Sequence, residues 1–320
     1  MKFSVVTPLW QDRPASENLA VAKLADQLGY EELWIGEMAT YDAFAFATAA
    51  GLQTEQIQLT IGPLAVAVRT PATIAMGVAS VADLTGRQVG IALGASSLVV
   101  VEEWHGRDHS RSATRIDESA QILRTLLDGG KARLQGKLAT CQGYRLRLDA
   151  TNSPITIAAF APAAVRAAAR RADRMLLNMV TPAGLAMLNT QLAEAANQCE
   201  TPPPPVAVWL PLAVDPGEET MAQLKRAIVG YLAAPGYAEM MVQAGFAELV
   251  KFARTRPHPG ELLEAIPDEL IAAIGLVGDR DTVAARIEAY RAAGANEICL
   301  VPATAGDPKG ERSLGAITSL

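Results

Sequence analysis

The chain has 320 residues, half of them hydrophobic and 19% charged, enough apolar side chain to build a large core and to exclude disorder as the default state. Its 28 Lys and Arg against 34 Asp and Glu give a formal charge of −6, the wrong sign for a surface that holds nucleic acid or an anionic membrane, so a small soluble substrate is the expected partner. The three cysteines (Cys141, Cys199, Cys299) and three histidines (His105, His109, His258) show no metal-ligand spacing, which argues against a metal site and for reduced thiols in a cytoplasmic protein.

Strand-like apolar runs alternate with amphipathic helical stretches, the mark of repeated βα units around a parallel sheet. Residues 3–6 read as the first strand. Ser16 then opens a helix with Ala20, Leu24 and Leu28 on one face, stopped by Gly29. Residues 33–36, 57–62 and 89–93 are the next strands, each short and apolar as buried parallel strands are. Thr70-Pro71 caps and starts the helix before the fourth strand, with Ile74, Val78 and Val81 inward. A helix carrying Ile116, Ala120, Leu123 and Leu127 stops at Gly129-Gly130. Residues 131–150 are an insertion in which Tyr144, Leu146 and Leu148 alternate with Arg145 and Arg147, the pattern of an antiparallel hairpin.

Residues 155–158 and 175–178 are the fifth and sixth strands, with an Ala-rich helix between them; Thr181-Pro182 starts the next helix. Pro202 to Pro205 form a stiff connector to the seventh strand, residues 206–214. A helical insertion over 218–273 precedes the last helix, and residues 298–301 are the eighth strand. Eight such strands in a single 1–320 domain predict a (β/α)8 barrel with insertions. A doubly wound sheet is the rival, but Thr7-Pro8-Leu9-Trp10 after the first strand cannot form a GxGxxG turn. In a barrel, chemistry sits on the loops after the strands. That rule nominates Trp10, Glu37, Met38, Leu64, Ala65, Gly94, Ala95, Ser96, Ser97, Ala159, Phe160, Ala161, Pro162 and the stretch from Asn178 to Pro182.

Residues 24–30 (LADQLGY), 32–37 (ELWIGE), 69–75 (RTPATIA), 83–87 (DLTGR), 90–94 (GIALG), 275–278 (GLVG) and 290–294 (YRAAG) together resemble the luciferase-like monooxygenase superfamily, and within it the coenzyme F420-dependent oxidoreductase branch. The resemblance runs from the first strand to the last. It implies a flavin-like ring resting on a bulge at the end of strand three, with a non-proline cis peptide between Leu64 and Ala65. It also implies that the Gly94–Ser97 turn touches the ribityl and ring end of the cofactor; the residues by themselves describe a tight turn with water-facing serines. The helix N-terminus from Ala159 through Ala163 would receive a phosphate on free N–H groups, although Ala159 and Ala161 stand where the family usually has glycine.

The family carries an acidic residue where Glu37 stands, often followed by a proton-transferring histidine. Here the next residue is Met38, whose thioether moves no proton. Glu37 is then either the proton-transfer group or a structural carboxylate paired with an arginine, and both readings stand. Trp10, Trp104 and His105, on loops, are candidates to wall the substrate pocket with Met38 and Asn178, and His105 is a second catalytic candidate. Trp34, inside a strand, is core.

The resemblance implies an oxidoreductase passing hydride between F420 and a small organic substrate, and a homodimer. An FMN-dependent monooxygenase on the same barrel and a non-catalytic flavin-binding barrel are the alternatives.

Overall fold

The computed structural model describes residues 1–8, 10–37 and 39–320. In chain order, β1 (Lys2–Val6), α1 (Glu17–Gln27), β2 (Glu32–Ile35), α2 (Ala43–Leu52), β3 (Gln58–Ala65), α3 (Pro71–Thr85), β4 (Val89–Gly94) and α4 (Ser112–Leu127) form the first half. A two-stranded excursion, β5 (Arg133–Gln135) and β6 (Thr140–Gln142), leads to β7 (Ile155–Ala158), α5 (Pro162–Arg171), β8 (Arg174–Asn178), α6 (Pro182–Gln198) and β9 (Val206–Val214). Five helices follow: α7 (Glu218–Ile228), α8 (Tyr237–Gln243), α9 (Ala247–Arg254), α10 (Pro259–Ala265) and α11 (Asp268–Ile274). The chain ends with β10 (Leu276–Gly278), α12 (Arg280–Ala292), β11 (Glu297–Pro302) and α13 (Glu311–Ile317).

The parallel strands run in the order β11, β1, β2, β3, β4, β7, β8, β9, and the β8–β9 and β9–β11 pairings close the ring. This is the (β/α)8 barrel expected from the sequence. The short β10 pairs only with the last residues of β9, at Leu212 to Val214, and escaped the strand count because three residues carry no periodicity.

Local chemistry explains several helix ends. Thr70 and Thr181 accept from the Thr73 and Gly184 N–H groups, each with proline in the first helical turn, and Asp279 does the same for α12. Gly86 ends α3 in the left-handed conformation. Ser16 makes no capping bond, and α1 buries Val21, Leu24 and Ala25 rather than Ala20 and Leu28; the i, i+3, i+4 stripe begins one residue later than the sequence suggests. Within 131–150, Arg133 to Gln135 face Thr140 to Gln142 across an antiparallel pair. Tyr144, Leu146 and Leu148 lie beyond it, after Gly143 turns the chain at φ +79°. Glu118 of α4 pins the hairpin by accepting the Lys137, Leu138 and Ala139 N–H groups, each at 2.8 Å.

Inward-facing side chains stack in layers. At the N-terminal end of the strands, Arg174 reaches across the barrel to Glu32 at 2.7 Å and to Glu297 at 2.5 Å, and Lys2 adds a second cation on Glu32 at 2.5 Å. Thr60 and Ser4 donate to Glu32 and Glu297, so this charged layer is satisfied without water. Burial alone would raise the Glu32 carboxyl, but the ion pair with Arg174, helped by Lys2, pulls it down to about 2. Above this layer lies Trp34, fully buried, its ring centre 4.3 Å from the Arg174 guanidinium. Its Nε1 donates to Ser4 and Glu297, 3.2 Å each. Trp209 meets Trp34 edge to face, ring centres 5.7 Å apart, and forms the next layer toward the strand C-termini.

Candidate functional site

The loops after the strands make one rim around the open end of the barrel. On the β3–β4 side that rim is almost bare of side chains. β3 bulges between Ile61 and Leu64, where Gly62 has φ +117° and a Cβ would collide with the Ala92 carbonyl. A Cβ on Gly94 would stand 3.1 Å from that of Pro63. The cis peptide lies at Gly62–Pro63, not between Leu64 and Ala65 as the resemblance implied. Proline makes this the peptide type in which cis costs least, and Leu64 and Ala65 pair in parallel register with Leu93 and Gly94. The Leu64 side chain is buried in the core, which leaves its backbone as the part that can meet a cofactor.

After β4, Ser96 turns at φ +62° and Ser97 Oγ accepts the Val100 N–H at 3.2 Å, starting a π-helical turn over Val99–Trp104. Ser96 and Ser97 are exposed, as are Trp104 and His105 at the end of that turn. The histidine that reaches back to the loop is His109, whose Nε2 donates to the Ser96 carbonyl at 3.0 Å. The sequence singles out His105 for its place on the loop beyond strand four, where few other bases are available; no spacing rule separates it from His109.

After β7, Ala159 is buried and Phe160 half-buried, while Ala161, Pro162 and Ala163 are exposed at the start of α5. Ala161 caps this helix with extended backbone, Pro162 is its first residue, and its first turn holds no acid. Ala164 and Val165 bond back to the Ala161 carbonyl, so the Ala163 N–H and the positive dipole end remain available to an anion. Arg170 is committed elsewhere, to Asp117 at 3.2 Å.

Glu37 is gripped. Arg69 Nε donates to one carboxylate oxygen at 3.0 Å and Nη2 to the other, which also accepts the Ala43 N–H at 3.2 Å. Arg69 bonds Asp42, the N-cap of α2, and lies 5.2 Å from the Phe44 ring centre. The bond to Glu37 is the main reason that the Arg69 guanidinium sits above its ordinary range. This is the geometry of the paired structural carboxylate, one of the two roles the sequence left open. Trp10 Nε1 donates to the Pro302 carbonyl at 2.9 Å, tying the loop after β1 to the end of β11. Met38 lies outside the described residues.

Further round the rim, from β7 to β9, stands an aromatic wall. Asn178, the last residue of β8, donates from Nδ2 to the Tyr237 hydroxyl at 3.0 Å. The Tyr237 ring centre is 4.8 Å from Phe160 and 4.7 Å from Tyr231, and burial pushes both tyrosine hydroxyls above their usual range. Trp209, the register partner of Asn178, carries a buried indole N–H with no acceptor among the described residues. Tyr231 and Tyr237 come from the 218–273 insertion and were missed, since nothing local says where a helical insertion folds back. Gly236, at φ +86° and with a would-be Cβ 3.1 Å from Phe160, is the nearest thing to a signal.

The sequence profile of the luciferase-like monooxygenase family matches residues 1–297. The chain belongs to the luciferase-like monooxygenase family. Along 99% of its length it is 24% identical to a Mycobacterium tuberculosis protein provisionally named a coenzyme F420-dependent oxidoreductase, of which it covers 99%. It is 23% identical to the 5,10-methylenetetrahydromethanopterin reductase of Archaeoglobus fulgidus over 90% of this chain and 88% of that one. The F420-dependent tetrahydromethanopterin reductase structure from Methanopyrus kandleri superposes with a TM-score of 0.84 at 20% identity, covering 99% of this chain and 98% of that one. The FMN complex of the oxygenating component of 3,6-diketocamphane monooxygenase from Pseudomonas putida superposes at 0.70 and 18% identity, covering 99% and 97%. This luciferase-like barrel is therefore an oxidoreductase scaffold whose rim offers a cleared backbone side and an aromatic side. No helix among its described residues is long and apolar enough to cross a membrane.

Proposed function

We propose that the chain is an F420-dependent oxidoreductase whose substrate, a small organic molecule, exchanges hydride with the deazaflavin at the barrel mouth. The observation that carries this is the breadth of the matches. The F420-named relative spans 99% of the chain and three archaeal methylenetetrahydromethanopterin reductases span between 86% and 92%, whereas 4-hydroxyprotoasukamycin monooxygenase of Streptomyces nodosus spans 48%. Bound F420 would supply a ring carbon that gives or takes hydride.

The residues present fit such a group. The Gly62–Pro63 bulge and Gly94 leave the β3–β4 side open to a flat ring, and Ser96 and Ser97 place hydroxyls and backbone beside it. The N-terminus of α5, with the Ala163 N–H, receives the anionic tail. Phe160, Tyr231 and Tyr237 exclude water from the facing side, and the Arg69–Glu37 fork holds the end of β2 in place.

The test is to titrate the cofactor-free protein with F420 and with FMN while following fluorescence quenching. Binding of F420 at least about tenfold tighter than FMN, or 1.4 kcal/mol, is expected. Tighter FMN binding would move the chain to the monooxygenases served by a flavin reductase, and binding of neither would end both readings.

A further inference from the structure

We propose that Tyr237, held by Asn178, donates its hydroxyl proton to an oxygen of the substrate, and that the corner it shares with Trp209 selects uncharged ketones or alcohols over carboxylates. The inference rests on the reading of the mouth as the reaction site and names the substrate class that site takes.

The argument begins with hydrogen-bond counting. A tyrosine hydroxyl accepts and donates. Asn178 Nδ2, at 3.0 Å, occupies its acceptor side, and among the described residues no acceptor is found for its proton. Trp209, in register with Asn178 on the neighbouring strand, has an indole N–H that is buried and likewise without an acceptor. A buried donor without an acceptor is unusual in a folded core, where such groups nearly always find partners, and this one stands beside the residue that holds Tyr237.

Their position in the ring matters as much. Asn178 and Trp209 sit on the sixth and seventh barrel strands, β8 and β9, and β9 is four strands from the bulged β3, across the mouth. A flat ring laid on the β3–β4 side thus has Trp209 across the mouth from it and Tyr237 held beside Trp209 through Asn178, with the substrate between. Phe160, Tyr231, Tyr237, Asn178 and Trp209 are all uncharged. A carboxylate pressed against them would surrender its hydration for neutral donors alone, an exchange that costs far more for a charge than for a carbonyl or hydroxyl. Burial keeps the Tyr237 hydroxyl protonated, so it remains a donor throughout the working range. Asn178 is the positioning residue: its amide decides which way that proton points.

Cyclohexanone and cyclohexanecarboxylate, the same ring with and without charge, are the probes. Calorimetric titration of the cofactor-free and F420-loaded protein should show cyclohexanone binding at least about tenfold more tightly than the carboxylate. Tyr237→Phe should weaken cyclohexanone about fivefold, the size of one neutral hydrogen bond, with F420 quenching and the circular dichroism spectrum unchanged. The infrared carbonyl stretch of bound cyclohexanone should move to lower frequency in the parent protein and return toward its free value in Tyr237→Phe. Asn178→Ala should give an intermediate shift. Equal affinity for the two probes, no cyclohexanone binding, or an unmoved carbonyl stretch in Tyr237→Phe would each overturn the proposal. Failure of F420 to bind, with the Tyr237-dependent stretch intact on the cofactor-free protein, would instead remove the F420 reading and leave this site standing.

Discussion

At the N-terminal end of the barrel, Glu32, Arg174, Glu297, Lys2, Ser4 and Thr60 are all hydrogen-bonded to one another inside the ring. At the C-terminal end, Tyr237 and Trp209 carry donors that the described residues leave without acceptors, and glycines clear the opposite side. The closed end is built from strand residues alone, whereas the open end takes Tyr237 from the helical insertion, so the contrast is one of chemistry and of architecture. A closed polar network asks nothing of a ligand and defines which strand sits opposite which. An open one is incomplete until something binds, as barrel enzymes place function at the strand C-termini and stability at the N-termini.

The strongest way to break this contrast is to open the closed end. Arg174→Met leaves Glu32 and Glu297 facing each other in the interior with only Lys2 at the edge, and removing one member of a buried ion pair typically costs about 3–5 kcal/mol. Urea unfolding should show a loss of that order. A loss under about 1 kcal/mol would mean that the cluster is dispensable to stability.

The same cluster predicts a pH dependence. Glu32 is held at about 2 against an ordinary value of 4.5, so its contribution is fully present above the unfolded-state value and is lost as pH falls through about 2. Stability measured by urea unfolding at successive pH values should decline across that window by on the order of 3 kcal/mol. The decline should be much smaller in Glu32→Gln. An unchanged slope in that variant would place the acid-sensitive group elsewhere.

Glu37 lies between the two regimes, at the mouth yet fully partnered. Glu37→Gln removes one charged arm of the Arg69 fork and should cost about 1–2 kcal/mol of stability, discounted because both groups are partly exposed. Turnover and cofactor affinity should shift together by less than about tenfold. A selective fall in turnover of about 10²-fold or more, with affinity retained, would make Glu37 the proton-transfer group after all.

An effect of similar size is expected at the open end itself. Ala163→Asp sets a negative charge at the first turn of α5, in the path of an anionic tail, and should weaken F420 binding about tenfold, or 1.4 kcal/mol. Folding should be untouched, since a first-turn acid suits the helix dipole. Unaltered affinity in the quenching titration would move the tail to another part of the rim.

Much of this was legible in the chain. Thr70-Pro71 and Thr181-Pro182 announce helices because caps act within four residues, and the apolar runs announce strands because a strand buried on both faces needs them. From those the eight-stranded barrel follows, along with the list of loops at its mouth. What remained hidden is what joins distant segments. Arg174 finds Glu32 across 142 residues and Glu297 across 123, Arg69 finds Glu37 across 32, and Tyr237 finds Asn178 across 59. Charge, periodicity and capping are properties of neighbours in sequence, whereas these contacts exist only once the ring closes and the insertion folds over it. The sequence by itself therefore determined the elements and the rim on which a site must lie. The tertiary structure alone decided which polar groups on that rim are already partnered and which still need a ligand, because satisfaction of a hydrogen bond depends on atoms that the chain brings together only in space.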